Sequence, residues 1–582
     1  MHTYACLLQK KLDNVCFLLI SRRRPLICFI KLKTLYGFGE IMAKLQWWQG
    51  AVIYQIYPRS FQDSNHDGIG DIPGIIAELD YIKGLGVDAI WVSPFFKSPM
   101  KDFGYDISDY RDIDPLFGTL ADFDELIDKA HQRDIKIIID QVLSHTSDQH
   151  AWFSESRVDK TNDKADWYVW ADAKPDGTAP NNWLSIFGGP AWQWEPRRKQ
   201  YYLHNFLTEQ PDLNFHNPDV RQHVLDNVEF WLKKGVDGFR LDAINFCYHD
   251  AQLRDNPAKP VDKRQGRGFS EDNPYAFQYH YYNNTQPENL AFMAEIRALL
   301  DRYPGTVSLG EISSEDSLAT MAEYTQGGNK LHMGYSFELL TKDYSAAYIR
   351  QTVQGLEKQM TEGWPCWAFS NHDVERVASR WAKNGVRSDA QVKMLTALLG
   401  SLRGSVCMYQ GEELGLTEAD VAFEDLQDPY GITFWPNFKG RDGCRTPHPW
   451  QHNAEFAGFS TQKPWLPVAK QHLSNSVDLQ NADLNSCLNR FREFLHWRKN
   501  HQALIVGDIE FIDTPEPLLA FWRSTGDDTI LCCFNLSEQS ASLDLTTVSL
   551  TELADVSHHS GQLVKNQLNL PPFGCYFAKK HD

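Results

Sequence analysis

From Gln46 onward, short apolar runs alternate with amphipathic stretches, and this alternation predicts repeated strand–helix units. The segments 52–58 (VIYQIYP) and 87–94 (VDAIWVSP) read as buried strands because their apolar residues are nearly continuous. Between them, 76–86 has the helical period and ends at glycine. The same pattern recurs along the chain. We count eight strand candidates, at 52–58, 87–94, 135–145, 235–243, 306–311, 331–338, 365–373 and 404–413.

Eight successive β–α units predict an α/β protein with a closed (β/α)8 TIM barrel. The alternative, an open doubly wound sheet, is disfavoured because no GxGxxG fingerprint follows the first strand. The barrel is expected over 44–145 and 213–505. The segment 146–212 is too long for an ordinary loop and predicts an inserted subdomain after strand three. Short strands over 506–582 predict a C-terminal all-β domain, a β-sandwich.

The amino-terminal 43 residues do not fit this pattern. Their apolar runs are short and are broken by Arg22, Arg23 and Arg24, so they predict neither a membrane span nor a secretory signal. We expect a disordered extension over 1–43, with Met42 a natural start for the folded body. A basic anchor on a membrane surface is the alternative.

The charge and the cysteine content indicate which partners and which cellular compartment to expect. The net charge is −19, and the first 41 residues carry seven Lys/Arg against two Asp/Glu, which leaves about −24 for the rest. Such a surface repels phosphate backbones, so no nucleic-acid partner is expected. Eleven cysteines without a CxxC pair predict free thiols in a reducing compartment, hence a cytoplasmic protein without a membrane partner.

Acidic residues end several of the predicted strands. Asp140, Asp242, Glu311 and Asp373 each follow an apolar run. A single aspartate in such a place is usually a helix cap. Because the carboxyl ends of all barrel strands meet at one face, however, these side chains are expected to gather into one acidic cup, which is typical of a catalytic site.

Facing carboxylates without a metal-type His/Cys set indicate cleavage of glycosidic bonds. Arg240 lies two residues before Asp242, on the same strand face, and is expected to keep Asp242 ionised as a nucleophile requires. Glu311 follows the apolar run VSLG, a setting that raises a carboxyl pKa as a proton donor requires.

Five motifs carry a resemblance to a known family. GFRLDAINF, LGEIS, FSNHD, DQVLSH and QPDLN resemble the sequence regions of the α-amylase superfamily of retaining glycoside hydrolases, family 13. The resemblance spans roughly 45–580. QPDLN and the segment 440–450, GRDGCRTPHPW, are most similar to the oligo-1,6-glucosidase and α-glucosidase branch.

The resemblance implies roles for the residues around the bond to be cut. Asp242 would be the nucleophile that forms a glucosyl-enzyme, and Glu311 the general acid/base. Asp373 would bind two sugar hydroxyls and help distort the ring. His145 and His372 would hydrogen-bond the sugar of the first subsite, while the arginine before Asp242 would orient that nucleophile.

The resemblance also implies a closed pocket. Tyr105 would stack under the bound sugar. Asp106, paired with Arg441 or Arg445, would close the far end, so that the enzyme removes one glucose at a time from the non-reducing terminus. Ser144 stands where relatives carry a calcium-binding Asn, so that particular calcium site is not expected.

One residue bears on the linkage. Ala243 follows Asp242, and in the family a small residue here accompanies α-1,4 cleavage whereas Val accompanies α-1,6 cleavage. The expected function is therefore an exo-acting retaining α-glucosidase that acts on short α-1,4-linked glucosides such as maltose, with transfer to other acceptors possible. Oligo-1,6-glucosidase and trehalose- or sucrose-processing enzymes are the alternatives. A non-catalytic barrel of the transporter heavy-chain type would need a membrane helix and lost carboxylates.

The stretch DSNHDGIGD at 63–71 has the oxygen spacing of an EF-hand-type loop, with Gly68 at position six. The oxygen donors at positions one, three, five, seven and nine are Asp63, Asn65, Asp67, the Ile69 carbonyl and Asp71. The Glu of position twelve is replaced by Gly74, and an Asx-rich turn is the alternative. The resemblance implies a structural Ca²⁺ or Mg²⁺ here. No organic cofactor is expected, and the protein is expected to be a monomer or homodimer.

Overall fold

The structure is a computed structural model that describes residues 45–264, 272–545, 549–553, 555–556 and 558–580. The expected extension over 1–43 lies outside the described residues. From Trp47 onward the chain forms a single unit.

Eight parallel strands form one sheet in which each strand lies beside its sequence neighbour. They are β1 Val52–Ile56, β2 Ala89–Val92, β3 Lys136–Val142, β4 Gly238–Asp242, β5 Val307–Ile312, β6 Met333–Ser336, β7 Cys366–Ala368 and β8 Ser405–Tyr409. Strand β1 also pairs with β8, and an isolated parallel bridge from Gly334 to Pro365 joins β6 to the start of β7. The sheet therefore closes into a barrel, and the predicted (β/α)8 fold is confirmed.

Helices follow the barrel strands and also occur in the segments inserted between them. They are Ile72–Ala77, Leu79–Leu85, Leu120–His131, Ala151–Ser156, Pro218–Lys233, Asn289–Leu300, Ser317–Thr325, Ala346–Gln359, Val377–Arg380, Asp389–Ser401, Pro429–Phe434, Val477–Ala482, Cys487–Lys499 and Gln502–Val506. The helix Leu120–His131 begins directly after Thr119, which forms a capping box with Asp122. None of the helices in the described residues combines the length and apolarity needed to cross a bilayer.

Other β-structures accompany the barrel. Phe96–Lys97 and Asp109–Ile113 form a two-stranded antiparallel sheet after β2. Within 146–212, the strands Trp170–Ala171, Gln200–Leu203 and Trp192–Glu195 form a small antiparallel sheet. At the carboxyl end, five antiparallel strands and three more form two sheets. The first contains Asp508–Ile512, Leu518–Thr525, Asp528–Asn535, Cys575–Lys580 and Leu550–Glu552, and the second Ala541–Asp544, Gln567–Leu570 and Gln562–Val564. Leu531, Leu568 and Tyr576 lie in the core between them.

The barrel strands are buried on both faces, as in other parallel sheets. Most of the burial is apolar, but Asp140, Arg240 and Glu311 are also buried at the carboxyl ends. Isolated buried charges are costly, so each of them needs partners. All eight cysteines in the described residues are free and buried, with 3.5 Å between the Sγ atoms of Cys366 and Cys407.

Candidate active site

The carboxyl ends of the barrel strands border a cavity that opens to solvent. Six of the residues predicted for the site line it: Tyr105, His145, Asp242, Glu311, Asp373 and Arg441. Arg240, His372 and Arg445 lie behind them, each no more than 1% exposed. The fold thus brings together residues that are more than 300 positions apart in sequence.

Arg240 is the centre of the acidic cluster. Its Nη1 donates to Asp140 Oδ1 at 2.9 Å and to Asp242 Oδ1 at 2.6 Å. Its Nη2 lies 2.5 Å from Glu311 Oε1. The face of Trp91 covers the guanidinium at 4.8 Å. Because Asp242 and Glu311 share one planar guanidinium, the two carboxyl groups are close neighbours, as a retaining glycosidase requires.

The protonation of this cluster differs from the sequence-based expectation. Arg240 was expected to keep Asp242 ionised, but burial and the nearby Asp140 charge outweigh it and raise the pKa of Asp242 to about 7. Burial also raises the pKa of Glu311 to about 7 and that of Asp140 to about 6. One guanidinium cannot neutralise three carboxylates, so the pKa values of Asp242 and Glu311 both lie above those of free carboxyl groups.

Asp373 has the opposite electrostatic setting. Its Oδ1 accepts from Arg445 Nη2 at 3.0 Å and from Arg441 Nη1 at 3.2 Å, while His372 Nε2 lies 3.3 Å from Oδ2. Burial alone would raise the pKa of Asp373, but the guanidinium groups of Arg441 and Arg445 outweigh it and lower the pKa below its usual value. Asp373 is therefore ionised throughout the neutral range and can accept hydrogen bonds from two sugar hydroxyls.

The two predicted histidines are neutral hydrogen-bonding groups. Burial lowers the pKa of His145 to about 4 and that of His372 well below its ordinary value. His145 Nε2 lies 3.0 Å from the carbonyl oxygen of Tyr105 and 3.2 Å from Gln210 Nε2. The Tyr105 ring is stacked on His372 with 5.2 Å between centroids, and its hydroxyl donates to Asp140 Oδ2 at 3.0 Å. Tyr105 thus joins the cavity wall to the acidic cluster.

The expected pairing of Asp106 with an arginine is wrong. Asp106 Oδ1 accepts from Ser98 Oγ and the Asp102 amide, and Oδ2 from the Lys101 amide, so this carboxylate holds its own turn together. Asp102 occupies the expected place instead. Its Oδ1 accepts from Arg441 Nη2 at 2.8 Å, and it lines the cavity.

Besides Asp373 and Asp102, Arg441 has a third acidic partner, which the sequence did not indicate. Asp428 accepts from Arg441 Nη2 at 2.8 Å and from the Arg441 amide at 2.7 Å. The sequence DPYG shows Asp428 as the cap of Pro429–Phe434, and it is also that. Phe187 covers the guanidinium at 5.0 Å. Arg445 does not contact Asp106; its Nε donates to the His372 carbonyl at 2.7 Å.

Other residues of the site also escaped sequence reasoning. Tyr335, which is fully buried, donates its hydroxyl to Glu311 Oε1 at 2.9 Å. Aromatic side chains make up much of the remaining wall: Phe187, Phe206, Phe246, Phe337 and Tyr430. An unusual abundance of aromatic residues was the one available signal, since flat apolar side chains suit the faces of sugar rings.

The predicted cation loop forms a tight turn after β1. Asp63 accepts from the His66 and Gly68 amides, and Asp71 caps the next helix through the Gly74 amide. Gly68 has φ +90, and a Cβ there would meet the Lys463 carbonyl. Asp67 Oδ1 accepts from the Ile69 amide. In the part of the chain that the structure describes, no three His, Cys, Asp or Glu side chains cluster as metal ligands, so the cation stays a prediction.

Comparisons with known proteins agree with this geometry. The α-amylase catalytic domain matches residues 55–507, and the maltogenic amylase C-terminal domain matches residues 509–577. A probable alpha-glucosidase of Rhizobium meliloti is 54% identical over 535 residues, which cover 92% of this chain and 97% of the relative. An oligo-1,6-glucosidase of Parageobacillus thermoglucosidasius is 37% identical over 525 residues, covering 85% and 91%.

A solved structure is also similar along nearly the whole chain. The crystal structure of an alpha-glucosyl transfer enzyme has a TM-score of 0.91 and 65% sequence identity, and the match covers 92% of this chain and 100% of that one. The barrel, the C-terminal sheets and the carboxylates gathered at the barrel mouth are thus accompanied by sequence identity over both domains. This chain belongs to the α-amylase family of glycoside hydrolases.

Proposed function

We propose that the protein is an exo-acting retaining α-glucosidase that releases glucose from the non-reducing end of short α-1,4-linked glucosides. The observation that carries this proposal is the ion-pair wall of Asp102, Arg441 and Asp428 beside the carboxylates. A buried, hydrogen-bonded wall leaves no groove for a longer chain to pass on that side, so a terminal sugar fits better than an internal one.

In the first step, Asp242 attacks the anomeric carbon of the bound glucoside. The bond from that carbon to the leaving oxygen breaks, and Glu311 gives its proton to that oxygen. The leaving sugar therefore departs with a free hydroxyl group. Asp373, held ionised by Arg441 and Arg445, binds hydroxyls of the sugar as its ring flattens toward the oxocarbenium-like transition state.

In the second step, water hydrolyses the glucosyl-enzyme. Glu311, now ionised, removes a proton from water, and the water oxygen displaces the Asp242 carboxylate at the anomeric carbon. Glucose leaves with its original configuration. An alcohol or sugar hydroxyl that occupies the place of water would instead be glucosylated. The similarity to an alpha-glucosyl transfer enzyme supports this second outcome.

The linkage rests on Ala243, whose side chain lines the cavity beside Asp242 and Glu311. The small side chain favours α-1,4 bonds, while the relatives named oligo-1,6-glucosidase favour the α-1,6 alternative. The deciding assay measures glucose release from maltose, isomaltose, maltotriose, sucrose and starch in parallel. We expect rapid release of glucose from maltose and slow release from starch. Rapid cleavage of internal bonds in starch would contradict exo action. Rapid hydrolysis of isomaltose without hydrolysis of maltose would show a preference for α-1,6 over α-1,4 bonds.

Asp102 and Asp106 provide a matched test of the pocket's closed end. Replacing Asp102 by Asn removes the charge that pairs with Arg441, so we expect KM for maltose to rise on the order of tenfold because a charge-assisted contact contributes about 1.5–3 kcal/mol. Asp106→Asn should instead lower the melting temperature and leave KM nearly unchanged, since Asp106 bonds its own turn. Steady-state kinetics and thermal melts measure both. If Asp106→Asn raised KM and Asp102→Asn did not, Asp106 rather than Asp102 would close the pocket.

We also propose that the loop at 63–71 binds Ca²⁺ or Mg²⁺ for rigidity. Asp63 Oδ1, Asp67 Oδ1 and Asp71 Oδ1 each accept one amide and so keep a free lone pair. Oxygen donors of this kind suit these hard cations. The donors would be Asp63, Asn65, Asp67, Asp71 and the Ile69 carbonyl. The cation would stiffen the turn after β1 and take no part in bond cleavage.

Adding millimolar Ca²⁺ to chelator-treated protein should raise the melting temperature. A free concentration of 100 times Kd adds about 2.7 kcal/mol to the free energy of unfolding. Asp67→Ala, at an exposed position, should abolish this increase with little effect on the metal-free melting temperature. Equal increases in both proteins, or none in the wild type, would exclude the site.

The remaining proposals concern the cellular setting. Eight free, buried cysteines and the net charge of −19 support a cytoplasmic enzyme with a small oligosaccharide as its substrate and with no nucleic-acid or membrane partner. A monomer or homodimer fits this description. The transporter heavy-chain alternative is disfavoured because Asp242, Glu311 and Asp373 are all present and gathered in one cavity.

A further inference from the structure

Tyr335 occupies a specific place beside Glu311. The parallel register of β5 and β6 pairs Glu311 directly with Tyr335, so the two side chains lie next to each other in the barrel interior. Tyr335 is 1% exposed and lies against Trp91, with 6.2 Å between ring centroids. It does not line the cavity, so it is not in a position to touch a substrate.

The Tyr335 hydroxyl connects the acid/base to the central cation. It donates to Glu311 Oε1 at 2.9 Å and accepts from Arg240 Nη2 at 3.0 Å and Nε at 3.3 Å. Arg240 Nη2 is also 2.5 Å from Glu311 Oε1. This oxygen therefore has two donors, one of them cationic, and such an oxygen is a poor place for a proton.

The second oxygen of Glu311 has a weaker partner. Glu311 Oε2 accepts from the Ala243 amide at 3.1 Å. Ala243 has φ +40, in the left-handed region that non-glycine residues seldom adopt, and this conformation turns its N–H toward β5. The two contacts together fix the plane of the carboxyl group.

We propose that Tyr335 is a positioning residue that fixes the carboxyl rotamer of Glu311 and directs its transferable proton to Oε2. This role rests on the proposed glucosidase function, in which Glu311 gives that proton to the leaving oxygen. Tyr335 acts through Glu311 and Arg240. Loss of its hydroxyl should matter most when the leaving group needs a proton.

The pH dependence follows from the charges that face Glu311. Arg240 and the Tyr335 hydroxyl favour the ionised carboxylate, while Asp242, Asp373 and Asp140 disfavour it. Removing the hydroxyl takes away one donor to the carboxylate, so the pKa of Glu311 should rise. The acid form then persists to higher pH, and the basic limb of the activity profile should move upward.

The test compares the full-length wild type with Tyr335→Phe and with Tyr324→Phe as a matched control. Tyr324 is equally buried, and its hydroxyl accepts one hydrogen bond from Asn289 outside the cavity. Each protein is assayed for kcat/KM on maltose, whose leaving sugar needs protonation, and on p-nitrophenyl α-glucoside, whose leaving group does not. The ratio of the two values does not depend on how much of the variant is folded.

For Tyr335→Phe, we expect kcat/KM to fall on the order of tenfold more on maltose than on the nitrophenyl substrate, with the basic limb at higher pH. Tyr324→Phe should change neither. Equal losses on both substrates with an unmoved pH limb would reduce Tyr335 to a packing role, and an unchanged Tyr335→Phe would overturn the proposal outright. A wild type inactive on both substrates would overturn the glucosidase function itself and this role with it.

Discussion

Replacing Asp242 by Ala should reduce kcat on maltose on the order of 10⁴- to 10⁶-fold, the loss typical of removing a catalytic nucleophile. The variant should keep its fold, because Arg240 retains Asp140 and Glu311 as partners. The space left by the carboxylate allows a small anion to attack instead. Added azide should therefore restore turnover of an activated glucoside and yield the β-glucosyl azide, with inverted configuration, in a product that NMR identifies.

Asp140→Asn is the matched control for this experiment. Asp140 also binds Arg240, at 2.9 Å, but it does not line the cavity. Its replacement should lower activity moderately by disturbing Arg240, and azide should not rescue it. Near-normal turnover by Asp242→Ala, or an azide product of retained configuration, would remove the nucleophile assignment.

Replacing Glu311 by Ala should give the complementary stereochemical result. Turnover of maltose should fall on the order of 10²- to 10⁴-fold because its leaving oxygen goes unprotonated. A nitrophenyl glucoside should still form the glucosyl-enzyme, which then accumulates because no base activates water. Azide, which needs no base, should release this intermediate as the α-glucosyl azide, with retained configuration.

Glu413→Gln distinguishes a buried glutamate from a catalytic one. Glu413 accepts from the Tyr54 and Tyr81 hydroxyls, both at 2.8 Å, and lies outside the cavity lining. Its replacement should affect thermal stability without a dependence on the leaving group. If Glu311→Ala lost the same factor on maltose and on the nitrophenyl substrate, the general acid would have to be another residue.

The barrel and the position of its acids could be predicted from sequence for a simple physical reason. Strands buried on both faces leave continuous apolar runs, and an acid at the end of such a run has few places to point. Asp242 and Glu311 lie at the ends of two such strands, and Asp373 follows a third by a few residues. Parallel topology then brings them to one face.

Details that depend on a single turn or on shared charge could not be predicted in this way. Asp102 and Asp106 flank the same three residues, and only the turn geometry decides which of them faces Arg441. The raised pKa of Asp242 depends on how many acids share one guanidinium. In the sequence, Tyr335 looks like any aromatic residue of a buried strand. Its contact with Glu311 depends on the register with the neighbouring strand, which the sequence does not reveal.

The isolated bridge between Gly334 and Pro365 has a mechanical consequence. Elsewhere in the barrel, ladders of several backbone bonds join adjacent strands, whereas at this seam one pairing joins β6 to the segment before β7. We therefore expect the barrel to widen most easily there. Tyr335 lies in the strand on one side of this seam, and Asp373 follows the strand on the other side, so a small widening would move the side chain that contacts Glu311 away from Asp373.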